Sequence, residues 1–493
     1  MISGSNVLDP PNIRSPKVFL ANSSLDFINR PISLAELYQA RSRITDLYVN
    51  NGYITSGAYI PLQEIRPGSG VVKIQIVEGK FEEIQIKGTQ RLSDNYVRDR
   101  IEAKTKGPVN QKRLLEALQL LQINPLIENL SAELSEGLRK GESVLQVFIK
   151  EADTFNAQIL LDNGRSPSVG SFRRRLQVTE ANLSGFGDSI GVGYTNTDGS
   201  NSFDASYTIP INPRDGTISF TYGTSAANVI EEPFDILDIE AESRQYELTY
   251  RQPIVRTPNQ EFAFGITASR KESEASYVDF EFERIPFLSD GADSEGNTRV
   301  SALRFFQEWI SRNSREVFAV RSQFNLGVGA FATINSDRPD SRFFSWQGQA
   351  QWLRLLAPET LLLLRLNGQM ATTTLLPFEQ FGLGGQDSVR GYRQDFNLTD
   401  NGVFASAEVR VPILRAGGTL QIIPFADFGF GWNAGTENPD SNMLASAGLG
   451  LQWRGGENFS ARLDWGIPLI EVDSDGTTWQ QNGVLFSVQY NAF

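Results

Sequence analysis

The sequence contains no cysteine and no histidine among its 493 residues. Disulfide frameworks, zinc sites built from Cys and His, and catalysis through an imidazole base are therefore excluded. Carboxylate chemistry remains open in principle, but no pair of acidic residues lies in a recognisable catalytic motif. We expect no catalytic residues, no metal and no cofactor, and an enzyme is the most remote interpretation.

Positive charge is scarce as well. Lys and Arg number 45 against 58 Asp and Glu, which gives a formal net charge of -13, and the sequence pI is about 4.8. A chain this acidic is poorly suited to the phosphate backbone of a nucleic acid. We therefore expect no nucleic-acid partner and attribute the acidity to ordinary surface charge.

Long apolar runs are also missing. The richest stretch, residues 353–366, is interrupted by two arginines, a proline and a glutamate, so the sequence predicts no transmembrane helix. No apolar signal-peptide core follows Met1, and we expect that the numbering starts after processing or inside a longer precursor. A transmembrane β-strand needs only about 9–11 residues of alternating polarity, so a membrane location stays open.

Helix and strand patterns alternate up to about residue 151. Ser33 and Glu36 fit a capping box ahead of an amphipathic helix that stops near Asn51-Gly52. Strands are predicted at residues 57–63 and 72–76. The apolar face of the helix is expected to contain Leu34, Leu37, Tyr38, Ile44, Leu47 and Tyr48.

Residues 81–152 fit one compact α+β module with the order β-α-α-β-β. Ile84 and Ile86 predict the first strand, residues 92–103 a helix, and Asn110 the cap of a second helix that stops at Asn124-Pro125. Two more strands are predicted at 130–134 and 144–149. Residues 1–80 share the α-β-β ending but show only a helix signal at 21–28 and no clear first strand. We interpret the two regions as copies of one module, of which the first is incomplete.

From about residue 155 the helical period disappears and segments alternate with period 2. At residues 344–352, for example, Phe, Trp, Gly and Ala alternate with Ser and Gln. About 16 such segments, separated by turn signals, fit the even strand number of bacterial barrels, and their apolar faces are rich in Phe, Tyr and Trp. In lipid such a sheet must close, and a barrel of about 16 strands leaves an aqueous lumen. The terminal Phe493 is typical of such barrels, whereas a soluble propeller would show a fixed blade period.

One connection in this second half is too long for an idle hairpin. It joins the segments near 361–370 and 403–411 and contains a glycine-rich run, residues 382–392, in which Arg390 is the only cation. No Lys-Ser/Thr pair follows the glycines, so the run is not a phosphate loop. We expect this connection to carry the function.

The end of that run, Val389-Arg390-Gly391-Tyr392, resembles the VRGY signature of the sixth loop in a superfamily of outer-membrane barrels. The superfamily includes two-partner secretion transporters and BAM-type insertases, and its loop folds back into the barrel, where the arginine pairs with an aspartate of the inner wall. Residues 425–429 resemble the partner motif, through Phe425, Asp427 and Gly429. The resemblance implies a pair between Arg390 and Asp427, and a guanidinium facing a carboxylate in a partly dry lumen is chemically well matched.

Further segments resemble the haemolysin-secretion branch (TpsB, ShlB-type), which carries periplasmic POTRA domains. They are residues 44–48, 51–55, 58–63, 77–79, 114–125, 162–163 and 182–188. The implied fold is a membrane all-β protein, a 16-stranded antiparallel transmembrane β-barrel at 153–493. Two small α+β POTRA domains precede it, at 1–80 (incomplete) and 81–152. The signal peptide and N-terminal plug helix of the branch are not visible in the sequence.

The implied function is secretion of an unfolded partner polypeptide, a TpsA-like exoprotein. The chain would be a monomer in the lipid of a Gram-negative-type outer membrane, with its POTRA domains in the periplasm. An insertase that assembles outer-membrane proteins is the main alternative, followed by a porin or receptor. The expected cargo-binding side chains lie on or near the first helix and the strand after it: Tyr38, Tyr48, Tyr53, Tyr59 and Leu62.

Overall fold

The computed structural model describes residues 32–64, 71–279, 281–334, 339–415, 417–472 and 478–492. The chain divides into two compact units, Met1–Asp153 and Thr154–Phe493. The helix expected at 21–28, the opening of the first module and Phe493 lie outside the described residues. Within the described part of the chain, no helix is long and apolar enough to cross a membrane.

Among its described residues, 32–64 and 71–153, the first unit contains three helices and five strands. They are α1 (Leu34–Asn50), β1 (Gly57–Tyr59), β2 (Gln75–Val77), β3 (Lys80–Lys87), α2 (Asp94–Lys104), α3 (Gln111–Gln122), β4 (Ile127–Glu136) and β5 (Glu142–Glu151). β1 and β2 form an antiparallel pair. In the second sheet β5 lies between β3, to which it is parallel, and β4, to which it is antiparallel. The predicted order β-α-α-β-β after residue 80 is confirmed.

Helix α1 begins at the predicted capping box. The Glu36 amide donates to the Ser33 hydroxyl oxygen at 3.2 Å, and the Ser33 amide donates to the Glu36 carboxylate at 2.7 Å. The buried face contains Leu37, Ala40, Ile44 and Tyr48. The prediction that Leu34 and Tyr38 point inward is wrong, since they are 66% and 52% exposed. Leu34 lies at the opposite end of α1 from the Ile44–Tyr48 cluster, and Tyr38 is about 100° around the helix from Leu37.

The two strands that cover α1 are shorter than predicted. β1 ends at Tyr59, ahead of Pro61, which has no amide hydrogen to donate to a ladder. β2 contains only Gln75–Val77, although Ile74 and Ile76 both pack against the buried cluster of α1. Apolar alternation therefore marks the side chains that pack here, while the ladder itself is limited to three residues on each strand.

The second unit is a closed antiparallel barrel. Its sixteen long strands are β6 (Phe155–Asp162), β7 (Arg173–Glu180), β8 (Ser189–Asn196), β9 (Ser200–Pro210), β10 (Thr217–Asn228), β11 (Glu240–Arg256), β12 (Gln260–Val278), β14 (Asn297–Arg312), β15 (Glu316–Val328), β16 (Phe344–Ala357), β17 (Thr360–Ala371), β20 (Asn401–Leu414), β21 (Thr419–Trp432), β22 (Met443–Gly455), β23 (Phe459–Pro468) and β24 (Val484–Asn491). β13 (Arg284–Pro286) extends the end of β12, and β24 closes the ring on β6. The predicted barrel of 16 strands is confirmed.

Short turns and long loops alternate around the ring. Residues 257–259 and 358–359 make tight turns, whereas at the other end β15 and β16, and β17 and β20, are separated by many residues in the sequence. Short turns are typical of the periplasmic end of such barrels and long loops of the outer surface. Trp309, Trp352 and Trp453 lie close to the short turns, as an aromatic girdle at one membrane interface requires.

The wall has an apolar outer face and a polar inner face. On β21 the side chains of Phe425 and Asp427 are buried inside, whereas those of Phe428 and Phe430 are exposed outside. The same alternation on β14 places Arg304 inward and Phe305 outward. Both strands therefore direct exposed aromatic side chains outward and buried charged side chains inward.

Candidate functional site: the inturned loop

The long connection at 372–400 folds into the barrel, and we call it the inturned loop. Its two arms form a small hairpin, in which β18 (Phe381–Leu383) pairs with β19 (Asn397–Thr399). The barrel wall behind this hairpin carries glycine. A Cβ atom on Gly429 would lie 2.8 Å from the side chains of Leu383 and Val389, and one on Gly402 would lie 2.3 Å from Phe381. The loop therefore rests directly on the wall backbone.

Arg390, at the tip of the inturned loop, is 1% exposed. Its Nε and Nη2 atoms donate to the two carboxylate oxygens of Asp427, at 2.7 and 2.9 Å, and its backbone amide donates to the same group at 3.1 Å. The guanidinium carbon also lies 3.5 Å from the ring centre of Phe425. A bidentate, stacked guanidinium is fixed in both position and orientation, which an ammonium could not achieve.

Two further carboxylates lie around the same guanidinium. Nη1 of Arg390 is 3.0 Å from Glu408 on β20 and 3.9 Å from Asp464 on β23. Glu408 also pairs with Arg410 at 2.7 Å and with Arg462 at 3.0 Å, and Arg462 pairs with Asp464 at 2.7 Å. Three guanidinium groups thus balance three carboxylates. Asp427 differs from the other two acids because Arg390 is its one recorded ionic partner within the described residues.

Gly391 and Tyr392 fix the backbone next to Arg390. Gly391 has a φ of 100°, and a Cβ atom on Gly466 of β23 would lie 2.6 Å from the Gly391 nitrogen, so the two backbones touch. The Tyr392 hydroxyl lies within hydrogen-bond distance of the carbonyls of Ala445 at 2.8 Å and Ile470 at 3.0 Å, and its one proton is shared between them. Its ring belongs to a buried cluster with Leu383, Val389, Phe404 and Leu444.

The structure brings the predicted loop and wall residues together. These are Val389, Arg390, Gly391, Tyr392, Phe425, Asp427 and Gly429. The sequence analysis missed Glu408, Asp464 and Gly466. All three lie at inward positions of strands, where a charged residue or a glycine in an alternating segment was the available signal. Within the described residues, no group of three or more acidic side chains is arranged to hold a metal ion.

The expected cargo-binding residues are dispersed over the first unit. Tyr38 is 52% exposed and Leu62 is fully exposed. Tyr59 donates its hydroxyl to Gln75, and the ring of Tyr53 meets that of Tyr48 edge-on. Tyr48 is 6% exposed, and burial, together with Glu78, raises the pKa of its hydroxyl. Its side chain therefore belongs to the core of this unit and is not open to a partner.

Comparison with known families decides the identity. The family model described as haemolysin secretion/activation protein ShlB/FhaC/HecB matches residues 141–453, more than half of the chain. The chain belongs to this family. The model of the ShlB-type POTRA domain matches residues 19–79. The predicted two-partner secretion family and the predicted POTRA fold at the start of the chain are therefore confirmed.

Relatives in two organisms extend the match over nearly the whole chain. The heme/hemopexin transporter protein HuxB of Haemophilus influenzae (strain 86-028NP) is 24% identical over 94% of this chain and 82% of its own length. The outer membrane transporter CdiB of Dickeya dadantii (strain 3937) is 21% identical over 86% of this chain and 75% of its own. The solved structure of CdiB from Escherichia coli shares the fold, with a TM-score of 0.73 and 19% identity, over 97% of this chain and 88% of that chain.

These matches also bear on the alternative of an insertase. BamA from Haemophilus ducreyi, lacking its first three POTRA domains, shows the same general fold with a TM-score of 0.58 at 14% identity, over 99% of both chains. The family model and the transporter relatives, however, belong to the secretion branch. The chain is a two-partner secretion transporter of the outer membrane, and its POTRA region lies in the periplasm.

Proposed function

We propose that this transporter captures an unfolded exoprotein in the periplasm and passes it outward through the barrel lumen, past a displaced inturned loop. The observation that carries the proposal is the way the loop is held. Residues 372–400 fill part of the lumen, and their contacts with the wall are ion pairs, hydrogen bonds and apolar packing. Each of these contacts is reversible, so the loop is suited to be a gate as well as an anchor.

The lumen itself suits an extended, hydrated chain. Inward positions carry Gln347, Gln349 and Gln351 on β16, and Arg251, Glu308 and Arg321 form a ladder of ion pairs on β11, β14 and β15. Because the charges along the wall are paired, the lumen is hydrated but has no strong electrostatic potential of a single sign. Such a lining binds no polypeptide sequence tightly, which favours passage over retention.

Capture in the periplasm is assigned to residues 1–152, as two POTRA domains that divide near residue 80. β4 is an edge strand of its sheet, and within the described residues its outer side pairs with no other strand. An extended cargo segment can add to such an edge through backbone hydrogen bonds. The exposed side chains of Tyr38 and Leu62 offer apolar contacts on the same unit.

The remaining parts of the proposal concern lipid and assembly. The exposed outer side chains, such as Phe428 and Trp465, contact acyl chains. A ring that closes from β24 to β6 has no free strand edge to cover, so the transporter works as a monomer.

The decisive experiment uses a large secreted protein as candidate cargo, chosen by inspecting the genes next to the transporter gene. The two proteins are produced together, and the exoprotein is quantified in the medium and in the periplasm. Wild type is expected to deliver it to the medium, and a chain lacking residues 32–152 to insert but deliver none. If loss of the transporter instead lowered the amounts of other outer-membrane barrels, with exoprotein delivery unchanged, the insertase function would replace this proposal.

A further inference from the structure

Glu379 lies on the arm of the inturned loop that precedes β18, and it is almost completely buried. Its carboxylate receives two hydrogen bonds from Arg304 on β14, from Nη1 at 2.8 Å and from Nη2 at 2.7 Å. Nζ of Lys271 on β12 lies 3.0 Å from the same carboxylate. The glutamate side chain is 3% exposed, and those of Arg304 and Lys271 are 10% and 22% exposed.

We infer that Glu379 is a second ionic anchor of the inturned loop, with Arg304 and Lys271 as its positioning residues on the wall. The inference rests on the proposed role of the loop and deepens it. The loop is then attached to the wall at two points, Glu379 and Arg390, and not at its tip alone. Opening the lumen requires both anchors to release.

The surroundings of Glu379 support an anchor rather than an incidental contact. Leu375 and Leu376, both 1% exposed, pack against Val300 and Ala302 of the wall and against Phe343, which directly precedes β16. Nε2 of Gln369 on β17 donates to the backbone carbonyl of Glu379 at 2.8 Å. The carboxylate, the backbone and the apolar neighbours are thus all fixed to the wall at one point.

Arg304 is itself positioned from the barrel. Its Nε atom donates to Ser269 at 3.1 Å, and its Nη1 atom donates also to Asn325 at 3.1 Å. These partners lie on β12 and β15, on either side of β14 in the ring. Because all three strands hold the guanidinium, it stays directed into the lumen whether or not Glu379 is present.

The two anchors lie in different sectors of the barrel. The Arg390 guanidinium is bound to β20, β21 and β23, whereas the Glu379 carboxylate is bound to β12 and β14, and β15, β16 and β17 lie between these two sets of strands. The charges are also opposite, because the loop contributes a cation to one sector and an anion to the other. A cargo segment of a single charge sign can therefore compete for one anchor but not for both.

The test measures ion conductance of the purified, full-length transporter in planar lipid bilayers, without cargo. Glu379→Gln leaves two cations facing a neutral amide, and we expect the fraction of time in a high-conductance state to rise roughly tenfold, as loss of charge-assisted hydrogen bonds predicts. Glu308→Gln is the matched control. Glu308 lies inward on the same strand as Arg304, and its recorded partners, Arg251 and Arg321, belong to the wall. It should leave the gating as in wild type.

A double-mutant cycle separates an anchor from a general loss of packing. If Glu379 acts through Arg304, the double variant Glu379→Gln/Arg304→Gln should open no more than the stronger single variant. Should Glu379→Gln fail to insert, Lys271→Gln provides the same test, with an expected rise of several-fold. Unchanged conductance in the inserted variant, or an equal rise in the Glu308→Gln control, would overturn the inference. Since conductance needs no exoprotein, this result is independent of whether the proposed secretion is observed.

Discussion

The inturned loop is held at two points, its tip and the arm that precedes β18, by opposite arrangements of charge. At the tip, one buried cation, Arg390, lies among three carboxylates, and at the other end one buried anion, Glu379, lies between two cations. The first site is the drier one, with Arg390 and Asp427 side chains only 1% and 0% exposed, whereas Lys271 is 22% exposed. Breaking the Arg390 site should therefore cost more of the free energy that holds the loop than breaking the Glu379 site.

The largest effect is expected from Arg390→Ala. Glu408 and Asp464 keep Arg462 as a partner, but Asp427 is left as a buried, unpaired charge, which costs roughly 3–5 kcal/mol at a dry site. We expect normal insertion of the barrel and at least a tenfold loss of exoprotein secretion. Insertion is followed by heat-modifiable migration in gels and secretion by quantifying the exoprotein in the medium.

The control for this variant is Arg321→Ala. Arg321 is also an arginine of the lumen, but it pairs with Glu308 on the wall, and its side chain is 38% exposed. It should secrete as wild type does, because this ion pair joins two wall strands and does not hold the inturned loop. Equal secretion by wild type and Arg390→Ala would remove the central role of the tip anchor.

A smaller effect is expected when the tip is displaced without any change of charge. In Gly466→Ala the new Cβ would lie 2.6 Å from the Gly391 nitrogen and 2.7 Å from the Arg390 carbonyl carbon. Overpacking of this kind costs roughly 1–3 kcal/mol, so secretion should fall several-fold. Gly223→Ala is the control, because its Cβ would meet nothing within 4 Å. If both alanine variants secrete equally well, close contact at the tip is not needed.

Tyr392→Phe should have a milder effect than either of these changes. The substitution removes the hydroxyl whose one proton is shared between the carbonyls of Ala445 and Ile470, and it keeps the ring in its buried cluster. We expect a loss of about 1 kcal/mol in loop retention. In planar bilayers this should appear as a modest rise in open time. A rise as large as that of Arg390→Ala would show that the hydroxyl, not the ion pair, dominates the tip.

The smallest effect is expected at a carboxylate that is held by backbone amides instead of a guanidinium. Glu151 of the first unit accepts from the amides of Gln90 at 2.6 Å, Leu92 at 2.9 Å and Arg91 at 3.1 Å. Burial alone would raise the pKa of this carboxylate, but the three amides outweigh it and lower the pKa below its usual value. The ionised Glu151 carboxylate therefore stabilises the folded first unit above the unfolded-state pKa of about 4.3. This contribution is lost as the pH falls through the lower folded-state pKa.

This pH dependence is measurable by hydrogen exchange. In wild type the protection factors of the amides at residues 90–92 should fall as the medium is acidified below about pH 4. In Glu151→Gln they should be lower at neutral pH, by about 1 kcal/mol of local stability, and independent of pH. If the protection factors of residues 90–92 are identical in the two proteins at pH 7, the local stability at these amides does not depend on the charge of Glu151.

The tip of the loop was predictable from sequence, whereas the second anchor was not. A glycine-rich run with one cation marked Arg390, and the resemblance of residues 389–392 and 425–429 to two family motifs implied its pairing with Asp427. Glu379, in contrast, is a single carboxylate in an irregular segment, and its partner Arg304 is 75 residues away in sequence. Contacts between a loop and a distant strand depend on ring closure and register, and one residue of register shift would turn Arg304 outward.

The first unit shows the same limit on a smaller scale. The helical period of α1 correctly marked Leu37, Ile44 and Tyr48, which pack against strands. The period could not show which part of the helix packs against those strands, and so it wrongly predicted that Leu34 and Tyr38 are buried. Periodicity gives the direction of a side chain, but burial also needs a neighbour that only the tertiary fold supplies.

The central claim is that the Arg390 contact fixes the inturned loop inside the barrel, and a distance measurement tests it most directly. Because the chain has no cysteine, Asp387→Cys at the exposed loop tip and Ser314→Cys in a short turn introduce the only two thiols for spin labels. Pulsed electron paramagnetic resonance should give one narrow distance distribution in the otherwise wild-type transporter and a broad one after Arg390→Ala. Distributions of equal width, with and without Arg390, would contradict the account.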